Sequence, residues 1–330
     1  MTLSTAATVH TLPIFAPIEP DLRAVLDKMR SAATIQLELL DEALAHVVAS
    51  GGKLVRPSLA ILVSRIYGAE YEKMISLAAS LEMLHTATLV HDDMIDASAK
   101  RRGNPTLHTL LNPASAVLLG DYLFAQAAAW ATETDNVRVV RIFAQTLMTI
   151  VNGELRQMWA KWDWNRAIED YFNRIYGKTA ALFSASCETA AALCHTPEPV
   201  TTALREYGRL IGLAFQIVDD VLDYAGDEET LGKPVGSDLR SGNITLPLIY
   251  YAQNNPNNPL LEPVLDGKRP SREDVATIVE AVVNSDAIER SLAEANRLVE
   301  EALTHLDVVP ECPERTMLVE LARYIVRRRV

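Results

Sequence analysis

Residues 80–103 read SLEMLHTATLVHDDMIDASAKRRG, an Ala/Leu-rich helical run that closes on Asp92, Asp93 and Asp96. Side chains four residues apart share one face of a helix, so Asp92 and Asp96 stack, and His85 lies on nearly the same line. Carboxylates at this spacing repel, and the partial negative charge of a helix C-terminus disfavours further acids. We therefore expect a bound cation to compensate them.

A second aspartate cluster lies in AFQIVDDVLDY at residues 214–224, where it comprises Gln216, Asp219, Asp220 and Asp223. Each cluster ends an apolar helical run and is followed by basic residues. Facing carboxylates suit a hard cation such as Mg²⁺, which prefers oxygen ligands and often binds together with substrate phosphates. The two clusters predict a metal-dependent site for a polyanion, and the alternative is two solvated acidic helix ends.

Charge and cysteine content limit the function classes. The chain carries 31 basic and 43 acidic residues, a net charge of −12, which argues against a nucleic-acid-binding protein. Cys187, Cys194 and Cys312 have neither metal-ligand nor disulfide-framework spacing, so we expect free thiols in a reducing compartment. The first residues lack the pattern of a secretory signal, and no apolar run is long enough to span a bilayer. A cytoplasmic enzyme is the expectation.

Apolar residues at three-and-four spacing recur along the chain and predict helices. Residues 1–18 are expected to form a flexible arm, because Pro13 and Pro17 discourage regular structure. Residues 19–330 show no break in composition and no strand-like alternation, so we expect one all-α domain, with a mobile loop at 225–241. The predicted helices cover about residues 19–50 (one or a pair), 57–67, 71–95, 114–131, 137–159, 169–193, 201–224, a short one from 244, 271–283, 286–306 and 313–326.

Several ordered motifs resemble those of one enzyme family. They are GGKLVRP at 51–57, RRGNPTLH at 101–108, GDYLFA at 120–125, GKTAALF at 177–183 and LGKPVGSDLRSGNITLP at 231–247. With the aspartate clusters, they make the chain similar to the trans-isoprenyl diphosphate synthases (polyprenyl synthetases), long-chain type, over nearly its whole length. The resemblance implies a homodimer with the isoprenoid synthase type I fold, in which about ten or more helices surround a deep central cavity.

The resemblance also implies the reaction and the cofactor. Such enzymes condense isopentenyl diphosphate head-to-tail with an allylic prenyl diphosphate: the allylic diphosphate ionises, and the isopentenyl double bond attacks the resulting cation. About three Mg²⁺ ions would assist, with Mn²⁺ as a substitute. We expect the two aspartate clusters to face each other across one cavity. The implied metal ligands are Asp92, Asp93, Asp96, Asp219, Asp220 and Asp223. Asp220 and Asp223 would act either as ligands themselves or as support for the other ligands.

Basic and polar residues at matching positions would bind the two substrates. The resemblance assigns Arg101, Lys178 and Lys233 to the allylic diphosphate. The oxygens of Thr179 and Gln216 would face the allylic cation, although Gln216 alone fits equally well as a helix residue that bonds a neighbour. The catalytic set is thus Asp92, Asp96, Lys178, Thr179, Gln216 and Asp219.

The isopentenyl diphosphate is not cleaved, so it needs fixed positive charge rather than metal. The positions assigned to it are Lys53, Arg56, His85 and Arg102. Lys53 and Arg56, three residues apart, share one side if the helix at Pro57 begins early. A lone histidine such as His85 is more often a core residue, and its alignment with Asp92 is what favours a ligand role.

Residues before the first aspartate bear on product length. In this family the positions four and five before it set the floor of the product tunnel, and here they are the small residues Thr88 and Ala87. Ala87, Leu84, Met83 and Ser80 form a stripe leading away from Asp92. We expect an all-trans product of octaprenyl to decaprenyl size, released by transient contact with a membrane surface. A farnesyl or geranylgeranyl product is the alternative if the tunnel is closed.

Two other kinds of protein share part of this pattern. A class I terpene cyclase shares the first cluster and the helical fold, but Asp219, Asp220 and Lys53 argue against it. An inactive partner subunit usually loses aspartates, and none is missing. Asn243 stands where many relatives have lysine, which leaves one phosphate contact open. The arginines at 327–329 either close over the site, meet an anionic membrane or form a solvated tail.

Overall fold

The structure, a computed structural model, describes residues 12–32, 38–49, 52–101, 103–159, 161–164, 167–226 and 235–328. These residues are almost entirely helical, which confirms the all-α class. The helices are α1 (Glu19–Ser31), α2 (Glu38–Ala49), α3 (Val55–Tyr67), α4 (Tyr71–Ile95), α5 (Leu107–Leu110), α6 (Pro113–Thr132), α7 (Val137–Trp159), α8 (Ala167–Ile175), α9 (Ala181–Leu193), α10 (Glu198–Ala225), α11 (Ser237–Arg240), α12 (Leu246–Asn254), α13 (Glu262–Leu265), α14 (Arg272–Val283), α15 (Ala287–Thr304) and α16 (Pro313–Arg327). No described helix combines the length and the hydropathy that a membrane crossing requires.

The chain divides into two compact units. The first comprises Met1–Leu147, Ala185–Arg205 and Val308–Glu320, and the second comprises Met148–Ser184, Glu206–Asp307 and Leu321–Val330. The first aspartate cluster belongs to the first unit and the later cluster to the second unit. That residues 19–330 act as one domain stays a prediction.

Helix α4 is the centre of the first unit. Every residue from Met74 to Leu84 is buried, so this part of the helix is covered on all sides by neighbours such as α6. Ser80 Oγ donates to the carbonyl of Ala127 in α6 at 2.7 Å, which satisfies a hydroxyl that would otherwise be buried at a net loss. The helix ends at Ile95, with Asp96 as its C-cap, so the buried segment leads directly into the aspartates.

In the second unit, two glycines of α10 allow close helix contact. A Cβ on Gly212 would lie 2.6 Å from Ala180 Cα, and a Cβ on Gly208 would lie 2.6 Å from the carbonyl oxygen of Phe183. Neither distance is possible for a real side-chain carbon, so only glycine permits this approach. The contact fixes α10 against the beginning of α9.

Three sequence predictions were wrong in detail. The predicted helix over 169–193 is interrupted by a π turn at Tyr176–Ala180. A short antiparallel hairpin, β1 (Lys100–Arg101) with β2 (Asn104–Pro105), follows α4 although no strand was predicted. Within the predicted mobile loop, α11 is helical because the Asp223 carboxylate accepts hydrogen bonds from Ser237 Oγ and from the backbone N–H of Asp238.

The prediction of a flexible arm is wrong for residues 13–18. Pro13–Ile18 forms a 3-10 helix instead of a loose segment, and it buries Phe15 and Ile18 completely. The burial of two large apolar side chains outweighs the poor helix propensity of proline, at about 1.5–3 kcal/mol for each side chain. The first eleven residues lie outside the described part of the chain.

Candidate active site

The first aspartate cluster divides into two environments. Asp93 is 7% exposed, whereas Asp96 is exposed and Asp92 partly so. Arg101 in β1 donates from Nε to both oxygens of Asp93 at 2.9 Å, and its Nη2 lies 2.8 Å from Oδ1. This bidentate pair ties the hairpin to α4. Asp92 and Asp96, one turn apart, remain the carboxylates that can meet a ligand.

One residue predicted to bind isopentenyl diphosphate, His85, lines a cavity of the first unit. His85, Asp93 and Arg101 line it, together with Gly52 and Leu54, the two neighbours of Lys53 in the chain. The remaining wall is largely apolar. His85 and part of the GGKLVRP segment thus line one cavity, whereas Lys53 and Arg56 are not among its lining residues and Arg102 lies outside the described residues. That these four residues converge on one diphosphate stays a prediction.

The backbone of Leu54 corrects one expectation. Leu54 has φ 51° and ψ 34°, a left-handed conformation that is unusual for a leucine. Helix α3 begins only after it, at Val55, so Lys53 lies outside the helix that carries Arg56. Lys53 and Arg56 would share one helix face only if the helix began early enough to include both, and that condition is not met. Strained residues of this kind often lie at ligand sites, and the sequence offered no signal for this one.

The predicted chain-length residues lie deep in the first unit. Ser80, Leu84 and Ala87 are fully buried, and Thr88 is partly buried, with its Oγ1 donating to the carbonyl of His85 at 2.7 Å. The stripe therefore follows the interior of the unit, and at Ser80 it contacts α6. Whether a product chain lies along it stays a prediction.

The second cluster contains a hydrogen-bonded chain of four side chains. Thr179 Oγ1 donates to Gln216 Oε1 at 2.6 Å, and Gln216 Nε2 donates to Asp220 Oδ1 at 2.8 Å. Tyr171 Oη donates to the other oxygen, Asp220 Oδ2, at 2.8 Å. Burial raises the pKa of Asp220 to about 7, and the charge of Asp238 acts in the same direction. The predicted pair of Thr179 and Gln216 is thus in direct contact, whereas the role of Tyr171 was missed.

Two other residues of this cluster have different partners. Asp223 is 1% exposed and accepts hydrogen bonds from Ser237 Oγ at 2.6 Å and from the N–H of Asp238 at 3.0 Å. Asp219 is the more accessible carboxylate, and its Oδ1 lies 2.5 Å from Nη2 of Arg328. Asp223 therefore supports the adjacent turn, while Asp219 lies beside a buried cation.

Lys178 lies in the π turn Tyr176–Ala180. The N–H of Ala181 reaches back five residues to the carbonyl of Tyr176, which widens the helix at this point. Lys178 Nζ lies 3.1 Å from Glu154 Oε1 in α7, a partner that no sequence motif indicated. Lys233, the other predicted basic residue of this unit, lies outside the described residues.

The aspartates of the two clusters differ in whether their oxygens can serve a divalent ion. In the described ranges, no group of three or more His, Cys, Asp or Glu side chains is close enough to hold a metal. Asp220 and Asp223 are buried and use both oxygens within the protein, so their contacts favour the supporting role that the sequence left open. Asp92, Asp96 and Asp219 are more accessible oxygen donors, which fits a hard cation that also binds substrate oxygens.

Comparison with known proteins identifies the family. The polyprenyl synthetase family model matches residues 37–282. The chain is 37% identical over 315 residues to heptaprenyl diphosphate synthase component 2 of Geobacillus stearothermophilus, covering 96% of this chain and 98% of the relative. It is 37% identical over 319 residues to the geranyl-diphosphate-specific all-trans-nonaprenyl-diphosphate synthase of Rhodobacter capsulatus, covering 96% and 97%.

A solved structure gives the same result for the fold. The polyprenyl synthase of Caulobacter crescentus CB15, complexed with calcium and isoprenyl diphosphate, matches with a TM-score of 0.89 at 34% identity, over 96% of this chain and 97% of that one. The isoprenoid synthase fold expected from the motifs is thereby confirmed. The chain belongs to the polyprenyl synthetase family, whose members are prenyltransferases that act with a divalent metal.

Proposed function

We propose that this protein is a trans-polyprenyl diphosphate synthase that adds isopentenyl diphosphate units to an allylic prenyl diphosphate. The observation that carries the proposal is the pair of aspartate clusters, one at the end of α4 and one near the end of α10, in a chain of this family. Both clusters keep accessible carboxylates beside buried ones. This arrangement supports metal-assisted departure of a diphosphate group.

The proposed metal is Mg²⁺, about three ions, with Mn²⁺ as a substitute. Asp92, Asp96 and Asp219 would hold it. When bound, it neutralises the charge that develops on the departing diphosphate. Arg101, Lys178 and Lys233 are proposed to bind the same diphosphate directly.

The chain Thr179–Gln216–Asp220–Tyr171 is proposed to orient the groups that face the allylic cation. When ionised, the Asp220 carboxylate can accept hydrogen bonds but cannot donate them, so the amide nitrogen of Gln216 must point toward it. The amide oxygen of Gln216 then points away from Asp220. That oxygen already accepts from Thr179 and retains a second lone pair. A fixed carbonyl dipole of this kind stabilises positive charge without acting as a nucleophile.

The isopentenyl diphosphate is proposed to bind near the cavity that His85 lines. Lys53, Arg56 and Arg102 would supply the fixed charges. The apolar part of the wall suits the short isoprene group and excludes water, which would otherwise capture the cation.

The proposed product is of octaprenyl to decaprenyl size. The small residues Ala87 and Thr88 support a long product, and so do relatives named for heptaprenyl and nonaprenyl diphosphate. The alternative is a farnesyl or geranylgeranyl product, and the complete burial of Ser80 and Leu84 favours it, since a long tunnel needs space there. A homodimer, a cytoplasmic location and transient membrane contact during product release complete the proposal.

A second candidate follows from the name of one relative. The Geobacillus stearothermophilus protein is called component 2, and the second candidate is that the present chain acts as one subunit of a two-component enzyme. The deciding experiment incubates the purified chain alone with radiolabelled isopentenyl diphosphate, an allylic primer and Mg²⁺, and then separates the dephosphorylated products by thin-layer chromatography. We expect extended prenyl alcohols, and an Asp92→Asn variant should lose them. A pure, folded chain that incorporates no label would refute an enzyme that acts alone.

A further inference from the structure

We propose that Arg328 is a positioning residue that holds the Asp219 carboxylate and competes with the divalent metal for it. Arg328 would thereby set the metal affinity of the site. The proposal rests on the proposed function, in which Asp219 is a metal ligand.

The geometry places a buried cation directly on Asp219. Arg328 Nη2 lies 2.5 Å from Asp219 Oδ1 and 3.2 Å from the carbonyl oxygen of Phe215. The guanidinium carbon lies 4.1 Å from the centre of the Phe215 ring, and the arginine side chain is 8% exposed. Hydrogen bonding, ring contact and burial therefore all locate this guanidinium beside one carboxylate.

Two of these three contacts do not involve Asp219. The Phe215 carbonyl and ring belong to α10 one turn before Asp219, and they hold the arginine whatever ligand the carboxylate has. The arginine is therefore a fixed neighbour of Asp219. A metal ion that binds Asp219 must share the carboxylate with this group or displace it.

Asp219 is also the carboxylate of its cluster that a ligand can reach. Its side chain is 38% exposed, whereas Asp220 and Asp223 are 4% and 1% exposed and have hydrogen bonds on both oxygens. A positive charge at this position acts on the metal ligand itself. Because the guanidinium is buried, solvent and salt screen its charge weakly.

Removal of this charge should strengthen metal binding. A divalent ion on Asp219 would lie only a few ångströms from the guanidinium, and repulsion at that distance changes a binding constant by about tenfold or more. A purely structural role predicts the opposite sign, because a distorted α10 would bind metal less well. The direction of the change therefore distinguishes the two roles.

The test titrates the full-length protein with Mn²⁺ and measures free Mn²⁺ by electron paramagnetic resonance. We expect Arg328→Met to bind Mn²⁺ about tenfold more tightly than the wild type, and Arg328→Lys to remain near the wild type. Arg327→Met is the matched control. It removes the same charge from the preceding residue, whose side chain is exposed. Circular dichroism confirms that each variant is folded.

An Arg328→Met affinity equal to or weaker than that of the wild type overturns the proposal. The gain must also depend on Asp219, so an undiminished gain in the Arg328→Met/Asp219→Asn double variant overturns it as well. Asp219→Asn alone tests the proposed function separately. If that variant binds Mn²⁺ as well as the wild type, Asp219 is not a metal ligand and the assignment beneath the proposal fails.

Discussion

Replacement of Asp220 by asparagine should remove a large part of the pH dependence of stability. Asp220 is 4% exposed, and burial raises its pKa from 3.8 to about 7. The folded protein therefore binds a proton on this carboxyl at pH values where the unfolded chain has released it. It follows that the free energy of unfolding falls as pH rises from the unfolded pKa to the folded one.

The magnitude follows from the two pKa values. Each tenfold change in proton affinity corresponds to about 1.4 kcal/mol, so the pKa of about 7 against 3.8 gives a total loss of about 4 kcal/mol. About 2 kcal/mol of this falls between pH 5 and 7, because the carboxyl is already half ionised at pH 7. Asparagine keeps the shape of the side chain and can bond both Tyr171 and Gln216, but it does not titrate in this range.

The assay is urea unfolding at several pH values, with a chelator present to remove metal effects. We expect the wild type to lose about 2 kcal/mol relative to Asp220→Asn between pH 5 and 7. Asp170→Asn, which removes a partly exposed carboxyl next to Tyr171 in the chain, should keep the wild-type slope. A constant difference between wild type and Asp220→Asn across this range would show that the buried carboxyl is not protonated, and the reasoning would fail.

Three further predictions concern neighbouring residues. Tyr171→Phe removes one hydrogen bond to the buried Asp220 carboxylate, so it should destabilise the protein by about 1–3 kcal/mol at pH 8 and raise the pKa of Asp220, both measurable in the same titration. Gly212→Ala places a methyl group 2.6 Å from Ala180 Cα, so urea unfolding should show a loss of about 1–3 kcal/mol, and an unchanged midpoint would contradict the close contact. Ala87→Phe should shorten the prenyl product in thin-layer analysis, and an unchanged product would show that Ala87 does not line the tunnel.

Much of the fold followed from local signals. Helix α4 was predicted at its observed bounds, Tyr71–Ile95, because a long apolar run ends in a cluster of acids. Helix α14 was predicted over residues 271–283 and is observed at Arg272–Val283, where Ser271 and Asp274 form a reciprocal capping box. Signals of this kind lie within a few residues of the feature they predict, so they can be read from a single sequence.

The missed features depend on residues distant in sequence. Tyr171 contacts Asp220 across 49 positions. Arg328 contacts Asp219 across 109, and closure of the C-terminal arginines over the site was only one of the three options that the sequence left open. No local pattern marks a tyrosine in a helix as the partner of a buried carboxylate. The left-handed Leu54 was missed for a related reason, because leucine carries no preference for that conformation and only its packed surroundings impose it.

The shared function of the two aspartate clusters was inferred from motifs alone. The structure describes each cluster within its own unit, and there it separates accessible carboxylates from buried ones. A spacing such as DDxxD identifies the acids but not their partners, because Arg101, Tyr171 and Ser237 come from other elements. The sequence therefore could not predict which carboxylates of each cluster are buried by such partners and which stay accessible.

The π turn at Tyr176–Ala180 makes this segment sensitive to length rather than to composition. Tyr171 and Thr179 are eight positions apart, an offset of about 80° around a regular α-helix, yet both reach the same chain of side chains on α10. The extra residue in the wide turn compensates for this offset. Insertion of a further residue there would rotate one of the two anchors away by about 100°, whereas deletion of one residue would leave a regular helix with the anchors seven positions apart and only about 20° out of line. Relatives should therefore tolerate substitutions in this segment, and even loss of the extra residue, far more readily than insertions.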